Sequence, residues 1–129
     1  MSSGQGKSIL IVEDEFLIAI HAADVMETLG FTVVGPVATI EQALPIVASG
    51  AFDGAILDVN LSGLLVFPVA EALEEKGIPF ILTSGYEATG LPERWRGRPH
   101  LRKPVIEQEL ARLAKDVFAY DTRLVAANA

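Results

Sequence analysis

The chain predicts an α/β domain, a doubly wound five-stranded parallel sheet with helices on both faces. Three features lead there. Short apolar runs, bare of charge inside, alternate with longer segments of helical pattern, as covered parallel strands and their crossovers do. Charged side chains stand at the ends of three of those runs. Glycines suited to a left-handed stop follow two of the helical segments. The 129 residues fit one domain, and half of them are hydrophobic, enough for a sizeable core.

The elements follow in order. Ser8-Ile9-Leu10-Ile11-Val12 is a strand over 8–12, closed by Glu13 and Asp14. A helix over 15–29 stops at Gly30. It is apolar almost all round: Ile18, Ala22, Val25 and Leu29 make the expected core stripe. Phe16, Ile20 and Ala23 make a second stripe, open to a partner or a homodimer. A strand over 31–35 comes next. Thr39 with Gln42 reads as a capping box for a helix over 40–49, in which Pro45 demands a kink or a short helix. Ala55-Ile56-Leu57 lies in a strand over 54–58 closed by Asp58, with Asp53 read as a strand-start residue. A helix over 67–76 has Pro68 in its first turn and Gly77 just past its end. Strands over 79–83 and 99–102 and a helix over 105–119 complete the alternation. Residues 86–98 hold two glycines and a proline where a crossover helix belongs, so an irregular or single-turn connection is expected there.

Composition removes several function classes. A net charge of −7 disfavours generic nucleic-acid binding, and the absence of cysteine removes disulfides and thiolate chemistry. The first seven residues lack the apolar region of a signal peptide, and no apolar stretch reaches spanning length, so a soluble cytoplasmic protein is expected. Gly6-Lys7-Ser8 is similar to the end of a P-loop, but Met1 stands where the first glycine belongs and the strand follows rather than precedes it. His21 and His100 do not suggest a metal pair.

The chemistry lies at the strand ends. Parallel strands bring Glu13, Asp14, Asp58 and Lys103 to one carboxyl edge, where open α/β sheets bind ligands. Three carboxylates crowded there repel one another unless a cation joins them, and hard oxygen ligands suit Mg²⁺. Such a site suits receipt of a phosphoryl group on an aspartate.

Val12-Glu13-Asp14-Glu15, Asp53 through Ile56-Leu57-Asp58-Val59-Asn60, Pro79 through Thr83-Ser84-Gly85, and Leu101-Arg102-Lys103-Pro104 occur in order at suitable spacing. Together they resemble the receiver domain of two-component response regulators over residues 7–119. The resemblance implies a flavodoxin-like receiver fold over 7–120, with an N-terminal extension over 1–6 and a tail over 121–129. It implies Asp58 as phosphoacceptor. Mg²⁺ would be held by Glu13, Asp14, Asp58 and the backbone carbonyl of Asn60. Ser84 and Lys103 would bind the phosphoryl group, with Lys103 pairing with Asp58 in its absence. Ser84 takes the switch-hydroxyl position; Thr83, Tyr86 and His100 are secondary switch candidates. His100 stands where the family often has an aromatic residue.

Two departures matter: a short loop after Asp58, and the missing fourth helix. Both resemble a subgroup of stand-alone receivers of alphaproteobacterial stress and light signalling. The implied partners are a sensor histidine kinase or histidine phosphotransfer protein and a downstream protein, without direct DNA binding, membrane association or enzymatic turnover. The alternative is a phosphorylation-independent scaffold or kinase-inhibiting module. A phosphoester hydrolase is a third reading, disfavoured because no substrate-binding cap is evident. Five of the ten basic residues fall within Arg94–Lys103. They are read as a solvated loop, with a docking face as the alternative, and Trp95 as a plug over the missing helix.

Overall fold

In a computed structural model of the chain, residues 6–85 and 90–118 are described. Strands β1 (Ser8–Val12), β2 (Thr32–Val37) and β3 (Gly54–Asp58) alternate with helices α1 (Phe16–Thr28) and α2 (Ile40–Ser49). A small hairpin of β4 (Asn60–Leu61) and β5 (Leu64–Leu65) precedes α3 (Phe67–Glu75). Then come β6 (Phe80–Ser84), a 3-10 turn (Glu93–Trp95), β7 (His100–Arg102) and α4 (Glu107–Phe118). The main sheet runs β2-β1-β3-β6-β7, with every neighbouring pair parallel. The five expected strands and four expected helices are all present, with ends shifted by a residue or two.

The central strands β1, β3 and β6 bury both faces, so their side chains alternate between two cores. Leu10, Val12, Ala55, Leu57, Phe80 and Leu82 face α2 and α3, while Ile9, Ile11, Ile56 and Ile81 face α1 and α4. The helix stops are built as expected. Gly30 and Gly77 have positive φ. The amide N–H groups of Phe31 and Ile78 donate to Met26 and Leu73, and those of Gly30 and Gly77 to Glu27 and Glu74. These are the paired bonds of a Schellman stop, which satisfy carbonyls the helix leaves over. At the start of α2, the Gln42 amide donates to Thr39 Oγ1, and Gln42 Oε1 accepts from the Ala38 amide. The capping box is therefore present, with its return bond one residue earlier than the standard pattern. Pro45 is accommodated inside a helix of ten residues.

Two close approaches position the site. The β1–β2 register shifts between Leu10 and Val12. Opposite that shift, Gly35 has φ +87°, and a Cβ there would stand 2.8 Å from the Val37 amide nitrogen and 3.3 Å from the Ile11 carbonyl. The displaced strand end lets Val37 accept from the Glu13 amide at 2.9 Å, which ties down the backbone of the first carboxylate. Gly54, at the foot of β3, faces the Phe118 ring so closely that a Cβ would fall 2.5 Å from it. Glycine there lets α4 close over the sheet.

Two expectations need correction. The buried stripe of α1 is Ala19, Ala22, Ala23, Val25 and Met26, while Phe16, Leu17 and Ile20 are exposed. Ala23 is a core residue rather than part of an outward stripe, and Ile18 and Leu29 are flanking positions. The helix start carries no side-chain cap, Glu15 serving as its N-cap residue.

The arginines of the β6–β7 connection are not a simply solvated loop. Arg94 bonds Glu71 at 2.9 Å and Glu74 at 2.8 Å, Arg98 pairs with Glu74, and Arg96 donates to the Leu91 carbonyl. Trp95 is buried against Phe67, the rings parallel at 5.4 Å, and against Phe80 at 6.2 Å. Among the described residues of the connection, Glu93–Trp95 forms a 3-10 turn, Trp95 is the plug expected, and α3 holds Arg94, Trp95 and Arg98 by charge and stacking.

The loop after Asp58 is short, as expected. It is a two-residue hairpin, with Ser62 and Gly63 both at positive φ. That is the backbone a type I′ turn requires.

Candidate functional site

The carboxyl ends of β1, β3, β6 and β7 set the site. Glu13 and Asp14 follow β1, Asp58 ends β3, Ser84 ends β6, and Lys103 follows β7. One carboxylate oxygen each from Glu13, Asp14 and Asp58 can be chosen so that all lie within 4.8 Å of one another. Lys103 Nζ stands 3.0 Å from Glu13 Oε1 and 3.0 Å from Asp58 Oδ2. The lysine therefore joins Asp58 as expected, and Glu13 as well.

Local backbone fixes the carboxylates. The Asn60 amide donates to Asp58 Oδ1 at 3.2 Å, and the Glu15 amide donates to Glu13 Oε2 at 3.2 Å. These bonds turn the two side chains toward each other and leave Lys103 to bridge their other oxygens. Ser62 Oγ donates to Asp14 Oδ2 at 2.6 Å. The hairpin itself is tied off by the Gly63 amide donating to Asn60 Oδ1 at 2.7 Å. Sequence reasoning missed Ser62. The signal was a Ser-Gly pair of the kind that makes a two-residue turn, which folds this residue back onto Asp14.

The electrostatics are unbalanced. Glu13 is 6 % exposed and Asp58 4 %. Two unit charges 4 Å apart interact by about 4 kcal/mol at an effective dielectric of 20. Three carboxylates against one lysine leave the cluster formally short of positive charge. Burial first, and then Asp58 beside it, push the Glu13 carboxyl up to about 7, against the opposing pull of Lys103. Burial also works against charge on Asp14, but the bond from Ser62 and other hydrogen bonds outweigh it and hold that carboxyl below its ordinary value. For Lys103 burial again disfavours charge, and its bonds to Glu13 and Asp58 overcome this and raise its pKa. The donor set fits a hard divalent cation: it is all oxygen, carboxylate-rich, clustered, and short of positive charge.

The remaining expected residues divide. Ser84 and Gly85 line the open hollow above the cluster together with Asp14, Asp58, Asn60, Ser62 and Lys103. Thr83 pairs in register with Asp58 but points beneath the cluster, into a space lined by Ile11, Ile18, Ile56 and Val105. Ser84 Oγ lies 2.7 Å from His100 Nε2 across the β6–β7 ladder. Tyr86 lies outside the described residues. Asp53 is a strand-start residue as expected, its carboxylate accepting from the Ser8 amide. No helix among the described residues is long and apolar enough to cross a membrane.

No protein-family model matches the chain, and no curated protein does. Solved structures do. SdrG from Sphingomonas melonis Fr1, in solution, is 45 % identical with a TM-score of 0.76, the match covering 89 % of this chain and 98 % of SdrG. The BeF3-activated conformation of SdrG from Pseudomonas melonis Fr1 is 46 % identical with a TM-score of 0.72, over 84 % of this chain and 93 % of that one. The response regulator PhyR from Brucella abortus is 25 % identical with a TM-score of 0.76, over 95 % of this chain and 52 % of PhyR. An ordered acidic cluster, a bridging lysine, this strand order and relatives of this closeness place the chain in the response regulator receiver family.

Proposed function

We propose that this receiver accepts a phosphoryl group on Asp58 from a sensor histidine kinase or a histidine phosphotransfer protein in the cytoplasm, and that it thereby switches a protein-interaction surface or drains phosphate from the kinase. The observation that carries the reading is the convergence of Glu13, Asp14 and Asp58 within 4.8 Å, with Lys103 3.0 Å from Asp58 and Ser84 in the same hollow.

An Asp58 carboxylate oxygen attacks phosphorus. The bond from phosphorus to the donor's nitrogen or oxygen breaks, and the leaving group keeps the electron pair and takes a proton. Little else is asked of the protein than positioning and charge stabilisation. The Asn60 amide holds one Asp58 oxygen in place, and Lys103 supplies positive charge where the phosphoryl oxygens arrive. Ser84 supplies a hydroxyl at the hollow's rim. Glu13, Asp14, Asp58 and the Asn60 carbonyl would hold Mg²⁺, which supplies the counter-charge an anionic donor needs. The chain then acts as a signalling phosphoprotein rather than an enzyme.

Incubation with acetyl phosphate and Mg²⁺ is expected to add one phosphoryl group, located on Asp58 by mass spectrometry. Stable labelling to the same extent in Asp58→Asn would overturn the reading. No labelling of the parent protein would favour the phosphorylation-independent scaffold.

A further inference from the structure

We infer that Ser62 is a positioning residue of the cation site: its hydroxyl, delivered by the β4–β5 hairpin, holds Asp14 in the arrangement that binds Mg²⁺; the inference rests on the proposed function. The three carboxylates are held in two different ways. Glu13 Oε2 accepts from the Glu15 amide, and Asp58 Oδ1 accepts from the Asn60 amide. Both donors are main-chain groups two residues further on, so they come with the turn that follows each carboxylate. Asp14 Oδ2 accepts from Ser62 Oγ at 2.6 Å, and Ser62 lies 48 residues away, on the turn of the hairpin. That contact exists only while residue 62 carries a side-chain donor.

The hairpin aims that hydroxyl. Leu61 and Val66 are buried at its base, and the Val66 amide donates to the Val59 carbonyl at 2.9 Å. The Gly63 amide donates to Asn60 Oδ1 at 2.7 Å. The turn is anchored on both sides. Its first residue is chosen against the turn's own preference. Ser62 has φ +54° and is the one non-glycine residue with positive φ among the described residues. A type I′ turn favours Asn-Gly, Asp-Gly or Gly-Gly, which reach positive φ at less cost. A left-handed serine is a local outlier, and such outliers cluster where a side chain is needed in one place. Here the side chain makes a charge-assisted bond, about twice as strong as a neutral one. A carboxylate accepts several hydrogen bonds, so Asp14 keeps acceptor sites for the cluster. Asp14 is partly buried beside two other carboxylates, and the bond from Ser62 settles its orientation before a cation arrives. Ser62 acts on the cation through Asp14.

Titration of the full chain with Mg²⁺, followed by NMR, tests this in the parent, Ser62→Gly and Ser62→Ala. Both variants lack the hydroxyl, but they treat the turn oppositely: glycine relieves the positive φ and alanine keeps its strain. Half-saturating Mg²⁺, read from the amides of Asp14, Asp58 and Asn60, is expected to rise about tenfold in both, the lower end of what loss of a ligand's outer partner costs. Before metal is added, the carboxyl carbon of Asp14 is expected to shift in both variants by more than those of Glu13 and Asp58. Labelling by acetyl phosphate is expected to need correspondingly more Mg²⁺ and to recover in excess.

If Ser62→Gly keeps the parent's affinity and only Ser62→Ala loses it, the turn matters rather than the hydroxyl, and the inference fails. It fails equally if both variants bind Mg²⁺ as the parent does. In either case Mg²⁺-dependent labelling of Asp58 in the parent leaves the proposed function standing. If Mg²⁺ moves none of the parent's amides at the site and acetyl phosphate labels nothing, both fall.

Discussion

Two charged regions of this domain are built on opposite principles. At the carboxyl edge of the sheet, three carboxylates share one lysine, and burial pushes one of them up to about 7. In the β6–β7 connection, Arg94 and Arg98 meet Glu71 and Glu74, and the two guanidiniums also lie over the Trp95 and Phe80 rings. Arg94 and Arg98 find their counter-charges on α3. The strand-end cluster has no such match, and a deficit of positive charge at a fixed, partly open place is what draws in a metal ion and an anionic donor. The difference separates a structural use of charge from a functional one. Substitutions at the first should cost chemistry without fold, and substitutions at the second should cost fold without chemistry.

The sharpest break in that contrast comes from Asp14, which is only partly buried and touches Ser62. Asp14→Ala is expected to reduce Mg²⁺-dependent phosphorylation at least a hundredfold while leaving the thermal midpoint within a few degrees of the parent. A mutant with undiminished phosphorylation, or one that is unfolded, would remove the distinction. Trp95→Ala should do the reverse. A buried tryptophan that stacks on Phe67 and packs on Phe80 typically costs about 3–5 kcal/mol on truncation. Denaturant unfolding should show that loss, and labelling of Asp58 by a phosphodonor should persist in the fraction that remains folded.

Gly54 tests the fold from the other face. A Cβ there would sit 2.5 Å from the Phe118 ring, so Gly54→Ala has to displace that ring against α4's packing on the sheet. Overpacking of this kind costs about 1–3 kcal/mol. Urea midpoints would measure it, and an unchanged midpoint would mean that α4 yields freely.

How far these regions could be read in the sequence follows from what fixed them. The strands and the cluster were legible because charge-free apolar runs end in Glu13, Asp14, Asp58 and Lys103, and parallel pairing gathers those ends without further information. The orientation of α1 was not. A helix apolar nearly all round has no phase, so Ala23 was given the wrong face. The Ser62–Gly63 hairpin is too short for a periodic signal. The clamp of Arg94 on Glu71 and Glu74 joins residues twenty or more positions apart through a fold that must already exist. The Ser84–His100 contact likewise needs the β6–β7 register, although both residues were candidates by position.

Proton uptake probes the deficit directly. In chelator, Glu13 has a carboxyl at about 7 in the folded protein against an ordinary 4.5. The native state therefore binds the proton more tightly than the unfolded chain between those values. Stability from this group is full below about 4.5 and is lost as pH rises through about 7. The Asp14 shift is in the opposite direction and acts below its ordinary 3.8, outside that window. Urea midpoints in chelator should fall across pH 4.5–7, and Glu13→Gln should flatten the slope. An unchanged slope would mean that Glu13 stays ionised beside Asp58 and that Lys103 suffices.

The smallest effect belongs to Arg94. Its contacts with Glu71 and Glu74 lie at the surface, where long side chains lose entropy on pairing and solvent screens the attraction. Its place over the Trp95 ring at 4.6 Å adds a contact that salt weakens less. Arg94→Ala and Arg94→Lys separate the two. The lysine keeps a charge for Glu71 and Glu74 but loses the planar group that stacks on the indole. A slight fall in thermal midpoint is expected for both, smaller than for Trp95→Ala. In high salt the lysine variant should remain below the parent, because what it lacks is the stacked guanidinium. If salt brings parent and both variants to the same midpoint, the ion pairs account for all of Arg94's contribution, and Trp95 holds the connection without it.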